Sequence, residues 1–176
     1  SIRLLGNGLF HARHYEDAAT VQEAMLSTER RIGVGEDDIL VAQSNLAGTY
    51  AALGRFEEAS RMLQDVCSGY VTLVGTERYD TILAASNYAN SLNELKRYQE
   101  AKAVLRRTVP VARRVLGEIN ETTIRIRWHY ARALVLDTGR TLDHLREAVT
   151  TLEDIERIAR RVLGGAHPLL VSIERD

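Results

Sequence analysis

Arg125, His129 and Arg132 stand at i, i+4 and i+7, so on a helix they share one face, which is the geometric condition for three side chains to meet one ligand. His11 and His14, three apart beside Glu16 and Asp17, are residue types that a metal would use. No further ligand cluster joins them, and they fall at a hairpin turn where polar side chains face water, so they read as structural. Gly6-Asn7-Gly8 is not a phosphate loop, because it lies in a helical pattern with no strand before it. There is no nucleophile elbow, and Cys67 has no evident histidine partner. Scattered Asp and Glu fit solvated faces and helix-pairing charges. The side chains thus offer recognition chemistry, and the expectation is a protein that is not an enzyme and uses neither cofactor nor metal.

Composition bounds the partner. The 176 residues are 45% hydrophobic, enough for a sizeable core without metals or disulfides. Lys and Arg number 23 against 24 Asp and Glu, and a net charge of −1 is too weak a field to argue for nucleic acid or an acidic membrane. Cys67 is the single cysteine, which fits a reducing compartment and reads as a small core residue. No apolar run approaches the roughly 20 residues of a spanning helix, and Ser1-Ile2-Arg3 has neither an initiator Met nor a signal-peptide profile. A cytoplasmic fragment is expected. Asn120-Glu121-Thr122 has the form of a glycosylation acceptor, but nothing else points to secretion.

What positions the candidate residues is a repeat. Asn45-Leu46-Ala47, Asn87-Tyr88-Ala89 and His129-Tyr130-Ala131 recur every 42 residues, and Gly54-Arg55-Phe56-Glu57-Glu58-Ala59 realigns on Lys96-Arg97-Tyr98-Gln99-Glu100-Ala101 at the same step. Val74-Gly75 and Leu116-Gly117 keep the register. The next copy comes late, since Leu145-Arg146-Glu147-Ala148 and Leu163-Gly164 lie 47 residues on, with five residues inserted near 139–144. Within a repeat, Leu46, Ala47 and Tyr50 follow helical spacing, a Leu-Gly-Arg turn follows at 53–55, and Ala59, Leu63 and Val66 restart the helical period. Each repeat is therefore a helical hairpin whose apolar stripe needs a stacked neighbour.

These residues resemble tetratricopeptide repeats: Leu5-Gly6-Asn7 through Tyr15-Glu16-Asp17-Ala18, and Leu46-Ala47 through Tyr50, Gly54-Arg55-Phe56 and Glu58-Ala59, alternate small and large residues as that family does. The 42-residue period, with Leu-Gly and then His-Pro at 163–168, is similar to the kinesin-light-chain subtype. The resemblance implies an all-α fold, an α-solenoid of antiparallel helical hairpins forming one array, with repeats near 1–33, 34–75, 76–117 and 118–164 and a partial one at 165–176. It also implies a protein-interaction module that holds an extended peptide or partner segment in a concave groove lined by first helices.

Groove positions carried over from the resemblance are Val41, Ser44, Asn45 and Gly48, then Leu83, Ser86, Asn87, Asn90 and Glu94, then Arg125, Trp128, His129 and Arg132. The chemistry suits a peptide. Asn45 and Asn87 each donate to and accept from a backbone, two arginines grip carboxylates, and an indole covers an apolar side chain. A partner with an acidic segment is expected. Against this stand structural roles: the asparagines tying helices together, Arg132 pairing with Glu94, and Trp128 packing between hairpins. Two other functions remain open, a sensory or autoinhibitory arm of a larger signalling protein and a self-associating scaffold.

The periodicity predicts first helices near 38–52, 80–94 and 122–137 and second helices near 56–74, 98–116 and 142–163, the last lengthened by about one turn behind a Thr141 cap. Leu46, Tyr88 and Tyr130 are expected to be buried between hairpins. Pro110 is expected to kink or interrupt its helix, because it lacks an N–H and its ring meets the carbonyl of Arg106.

Overall fold

The computed structural model describes residues 2–163, and among them it contains eight α-helices and no strand. They pair as α1 (Ile2–His11) with α2 (Tyr15–Ile32), α3 (Glu36–Ala52) with α4 (Phe56–Val74), α5 (Tyr79–Glu94) with α6 (Tyr98–Leu116) and α7 (Glu121–Leu136) with α8 (Leu142–Leu163). The fold is an all-α helical-repeat solenoid. The helix ends fall within two residues of the predicted limits. The partial repeat expected at 165–176, with His167-Pro168 and the Leu163-Gly164 landmark, lies outside the described residues.

The chain divides into two compact bodies, Ser1–Gly75 and Thr76–Asp176. In the first, α1 packs on α2, α2 on α3 and α3 on α4. In the second, α5 packs on α6, α6 on α7 and α7 on α8, while the two first helices α5 and α7 also touch each other.

The hairpin turns show how local sequence sets the helix ends. Arg13, Gly54 and Lys96 occupy one turn position at φ 64°, 76° and 59°. The next residue's N–H reaches back across the turn in each case, from His14 to the Leu9 carbonyl at 2.9 Å, Arg55 to Tyr50 at 2.9 Å and Arg97 to Leu92 at 2.8 Å. This closing bond satisfies carbonyls that the helix end leaves over, and it requires a left-handed residue between. Only one of the three turns uses the glycine that suits it. After each turn the pattern repeats at side-chain level: Arg55 makes two 2.7 Å bonds to Glu58, and Arg97 makes two 2.7 Å bonds to Glu100.

Small residues let the helices close up. Ala18, Ala47, Ala59, Ala89, Ala101, Ala131 and Ala148 are all fully buried. Gly69 serves the same end between α3 and α4, where a Cβ would stand 2.5 Å from Leu40 Cδ2. Leu46 and Tyr130 are buried as expected, but Tyr88 is only half-buried. Cys67 is likewise half-buried rather than a core residue, although burial raises its thiol pKa.

Pro110 does not interrupt its helix: α6 runs continuously from Tyr98 to Leu116 with the proline inside. Pro110 is exposed, so water can reach the backbone where the helix bond is missing. The late fourth repeat behaves as its sequence indicates. Thr141 Oγ1 accepts from the His144 N–H and His144 Nδ1 accepts from the Thr141 N–H, both at 3.2 Å, a reciprocal cap in which histidine takes the usual glutamate place. Behind it α8 runs to 22 residues, against 19 in α4 and α6.

Candidate partner-binding face

In the second body the candidate residues lie on α5 (Asn87, Asn90) and on α7 (Arg125, Trp128, His129, Arg132). The two helices touch, and one bond fixes them: Asn93 Nδ2 donates to the His129 carbonyl at 3.0 Å while Asn93 is 1% exposed. Sequence reasoning missed Asn93, whose 42-residue counterpart in α7 is the apolar Val135.

The four α7 residues do not behave alike. His129 is 5% exposed, and burial, reinforced by the charges of Arg125 and Arg132, pushes its pKa down to about 3. It is therefore a neutral imidazole at ordinary pH and adds no positive charge. The three residues that share this face by spacing therefore bring two guanidinium groups and one neutral ring. Its ring lies 5.0 Å from the Trp128 ring, and its Nδ1 is buried without a hydrogen-bond partner.

Arg132 is half-buried and its Nη1 donates to Glu94 Oε1 at 2.7 Å, the pairing weighed above as its structural role. Arg125, also half-buried, makes no ion pair among the described residues, and its Nε is buried and unpartnered. Trp128 packs against the buried cluster of Ile124, Ile155 and Ala159, with its indole Nε1 likewise unpartnered. On the other side it joins Arg132, Val135, Leu136 and Leu152 in lining a small apolar cleft. One helix face thus carries a guanidinium with no ion pair among the described residues, a paired one and an apolar slot.

In the first body Asn45 lines a different cleft, about 490 Å3, with Asn7, Phe10, His11, Gln22, Ser44 and Gly48. Gln22 is held there by Thr49, whose Oγ1 donates to Gln22 Oε1 at 2.6 Å. The lining is rich in amides and hydroxyls and includes no Arg, Lys, Asp or Glu. Such a surface can bond a peptide backbone.

Further polar contacts escaped the sequence. Arg127, one step from the candidate set, is buried and paired with Glu118 and Asp154. Its cation, with that of Arg157, holds the Asp154 carboxyl below the usual carboxylate range. Arg127 therefore ties α7 to α8 and is not available to a partner.

The comparisons agree with the repeat fold. Residues 39–80 and 81–120 each match the profile of the tetratricopeptide repeat family. No curated protein matches the chain. Two crystal structures of the kinesin light chain nearly identical TPR-like repeats of Podosopora anserina, the first of them a single-residue variant, superpose with TM-scores of 0.81 and 0.80. Both are 20% identical, cover 99% of this chain and are themselves covered to 80% and 81%. BtubC (BKLC) from P. vanneervenii is similar at a TM-score of 0.61 and 14% identity, over 99% of this chain and 77% of that one. Residues 39–120 thus match two tetratricopeptide repeats, and the chain is similar in fold to the kinesin-light-chain TPR-like repeats. Repeats of this kind mediate protein–protein interaction and are typically non-catalytic scaffolds. Among the described residues no helix is long and apolar enough to cross a membrane.

Proposed function

We propose that this chain is an interaction module whose α5–α7 face takes an extended, acidic segment of a partner protein. Arg125 receives the first carboxylate. The slot between Trp128 and Leu152 takes a neighbouring apolar side chain, and Asn87 and Asn90 bond the peptide backbone. Asn45 offers the same amide chemistry on the first body. His129 is a buried neutral support that keeps the two arginines apart.

The observation that carries this reading is the state of Arg125. A half-buried guanidinium with a buried, unpartnered Nε has already lost much of its water, and a planar carboxylate matches its fork at two points. An apolar cleft beside it adds affinity that charge alone does not supply.

The test uses a short fluorescent peptide of Asp, Glu and Leu, read by anisotropy, with an Asn/Gln version as control. Reversing Arg125 and Arg132 together to Glu is expected to weaken binding of the acidic peptide and flatten its salt dependence, with helical content unchanged. Arg107→Glu, an exposed change on α6, is expected to leave binding intact. Full affinity in the double variant, with loss in Arg107→Glu, would overturn the assignment.

A further inference from the structure

Glu94 and Arg132 differ from the Lys102–Asp137 ion pair of the same body. Lys102 and Asp137 are 6% and 7% exposed, and Asp137 is held by further bonds from Gln99 and the Gly139 N–H. Arg132 and Glu94 are 22% and 34% exposed, and a single 2.7 Å bond through Nη1 joins them. Nor does the pair belong to the repeat framework. The residues in register with Glu94 are Ala52 and Leu136, and those in register with Arg132 are Gly48 and Asn90. The stack is built elsewhere in the chain without either charge.

Position gives the pair its meaning. Arg132 lines the apolar cleft together with Trp128, Val135, Leu136 and Leu152. The Glu94 carboxylate, on the last residue of α5, thus sits on a guanidinium at the edge of a slot suited to a partner's apolar side chain. It has the chemistry and the geometry of the incoming group.

We propose that Glu94 is an internal competitor for Arg132, which a partner's carboxylate displaces when it enters beside Arg125. The inference rests on the binding reading above and adds a device to it. A part-exposed ion pair contributes little, so exchanging one carboxylate for another is nearly neutral in energy. Weak acidic segments are thereby refused. A partner succeeds only when its carboxylate arrives together with an apolar side chain for the slot, because the apolar contact tips an otherwise even exchange.

The experiment is a mutant cycle with the same acidic peptide. Glu94→Gln is expected to tighten binding about two- to fivefold, the scale of a part-exposed ion pair, and to steepen its salt dependence, because the peptide no longer has an internal bond to break. In an Arg132→Gln background the same Glu94→Gln change is expected to have no effect. An equal gain in both backgrounds would mean that Glu94 merely repels acidic ligands, and no gain in either would mean that it does not gate Arg132; both outcomes overturn the proposal. Arg125→Glu separates the two readings. If it abolishes binding while Glu94 changes do nothing, the binding face stands and the competitor falls. If the acidic peptide binds no better than its Asn/Gln version to wild type and to Glu94→Gln alike, the binding reading falls and takes the competitor with it.

Discussion

Lys102 Nζ lies 2.5 Å from Asp137 Oδ2, with both side chains more than nine-tenths buried. Gln99 Nε2 donates to the same oxygen at 2.6 Å and the Gly139 N–H donates to Oδ1 at 3.1 Å, so the carboxylate is satisfied from three sides. The pair fastens α6 to the end of α7, just where the five-residue insertion begins. In the repeat register Leu53 and Leu95 stand where Asp137 stands, and Ser60 where Lys102 stands. The repeat register supplies neither charge at these positions.

Removing one member leaves the other charged and buried, whereas removing both leaves a neutral contact. Lys102→Met and Asp137→Leu are each expected to lower the urea midpoint, and the double variant to recover most of the loss. The Lys102 ammonium, with the Gly139 N–H, lowers the Asp137 pKa below its usual value. Its contribution is therefore present above the unfolded carboxylate pKa near 3.9 and is lost as pH falls through the lower folded value. A double variant weakened by the sum of the two single losses would show that the two residues are not coupled.

His129 makes the second body sensitive to milder acid. With a folded pKa of about 3, the buried imidazole stays neutral where an unfolded one, near 6.5, takes up a proton. The unfolded state binds more protons in that window, so stability falls with pH by up to about 1.4 kcal/mol per unit. Between neutrality and pH 5 the loss is about 2 kcal/mol. His129→Asn, which places the residue found at Asn45 and Asn87, is expected to fold less tightly but to lose this slope. Denaturation at several pH values decides it, since an unchanged slope would place the proton uptake elsewhere.

The turn residues allow a matched pair of substitutions. Lys96 is held at φ 59°, a conformation that costs a side-chain-bearing residue about 1 kcal/mol, and Gly54 adopts φ 76° in the equivalent turn with open space around it. Lys96→Gly is expected to stabilise by about 0.5–1 kcal/mol, and Gly54→Lys to destabilise by a similar amount. Thermal or urea unfolding gives both signs. Should both changes destabilise, the Lys96 side chain contributes something that its backbone conformation conceals.

The sequence alone was enough for the repeats, their register and the ends of their helices. Those features are local. A helix stops where a left-handed residue closes the turn and restarts at a cap such as Thr141, and buried alanines mark each close approach within one period. The same reasoning did not foresee that α6 continues through Pro110, because tolerance of a missing helix bond depends on which side of the helix meets water. Tyr88 was likewise expected to be buried and is half-buried against the core cluster of its body.

The charges of the candidate face were decided only by tertiary structure. The spacing of Arg125, His129 and Arg132 was legible, but their states follow from side chains on other helices, and no periodic pattern encodes such partners. Glu94 claims Arg132, burial neutralises His129, and Arg125 is left without an ion-pair partner among the described residues. One clue to such contacts was present in the register: Asp137 and Lys102 both depart from the residues their repeats would supply. That the two departures answer each other could be seen only once the fold had placed Nζ and Oδ2 in contact, since an ion pair depends on distance in space and not on separation along the chain.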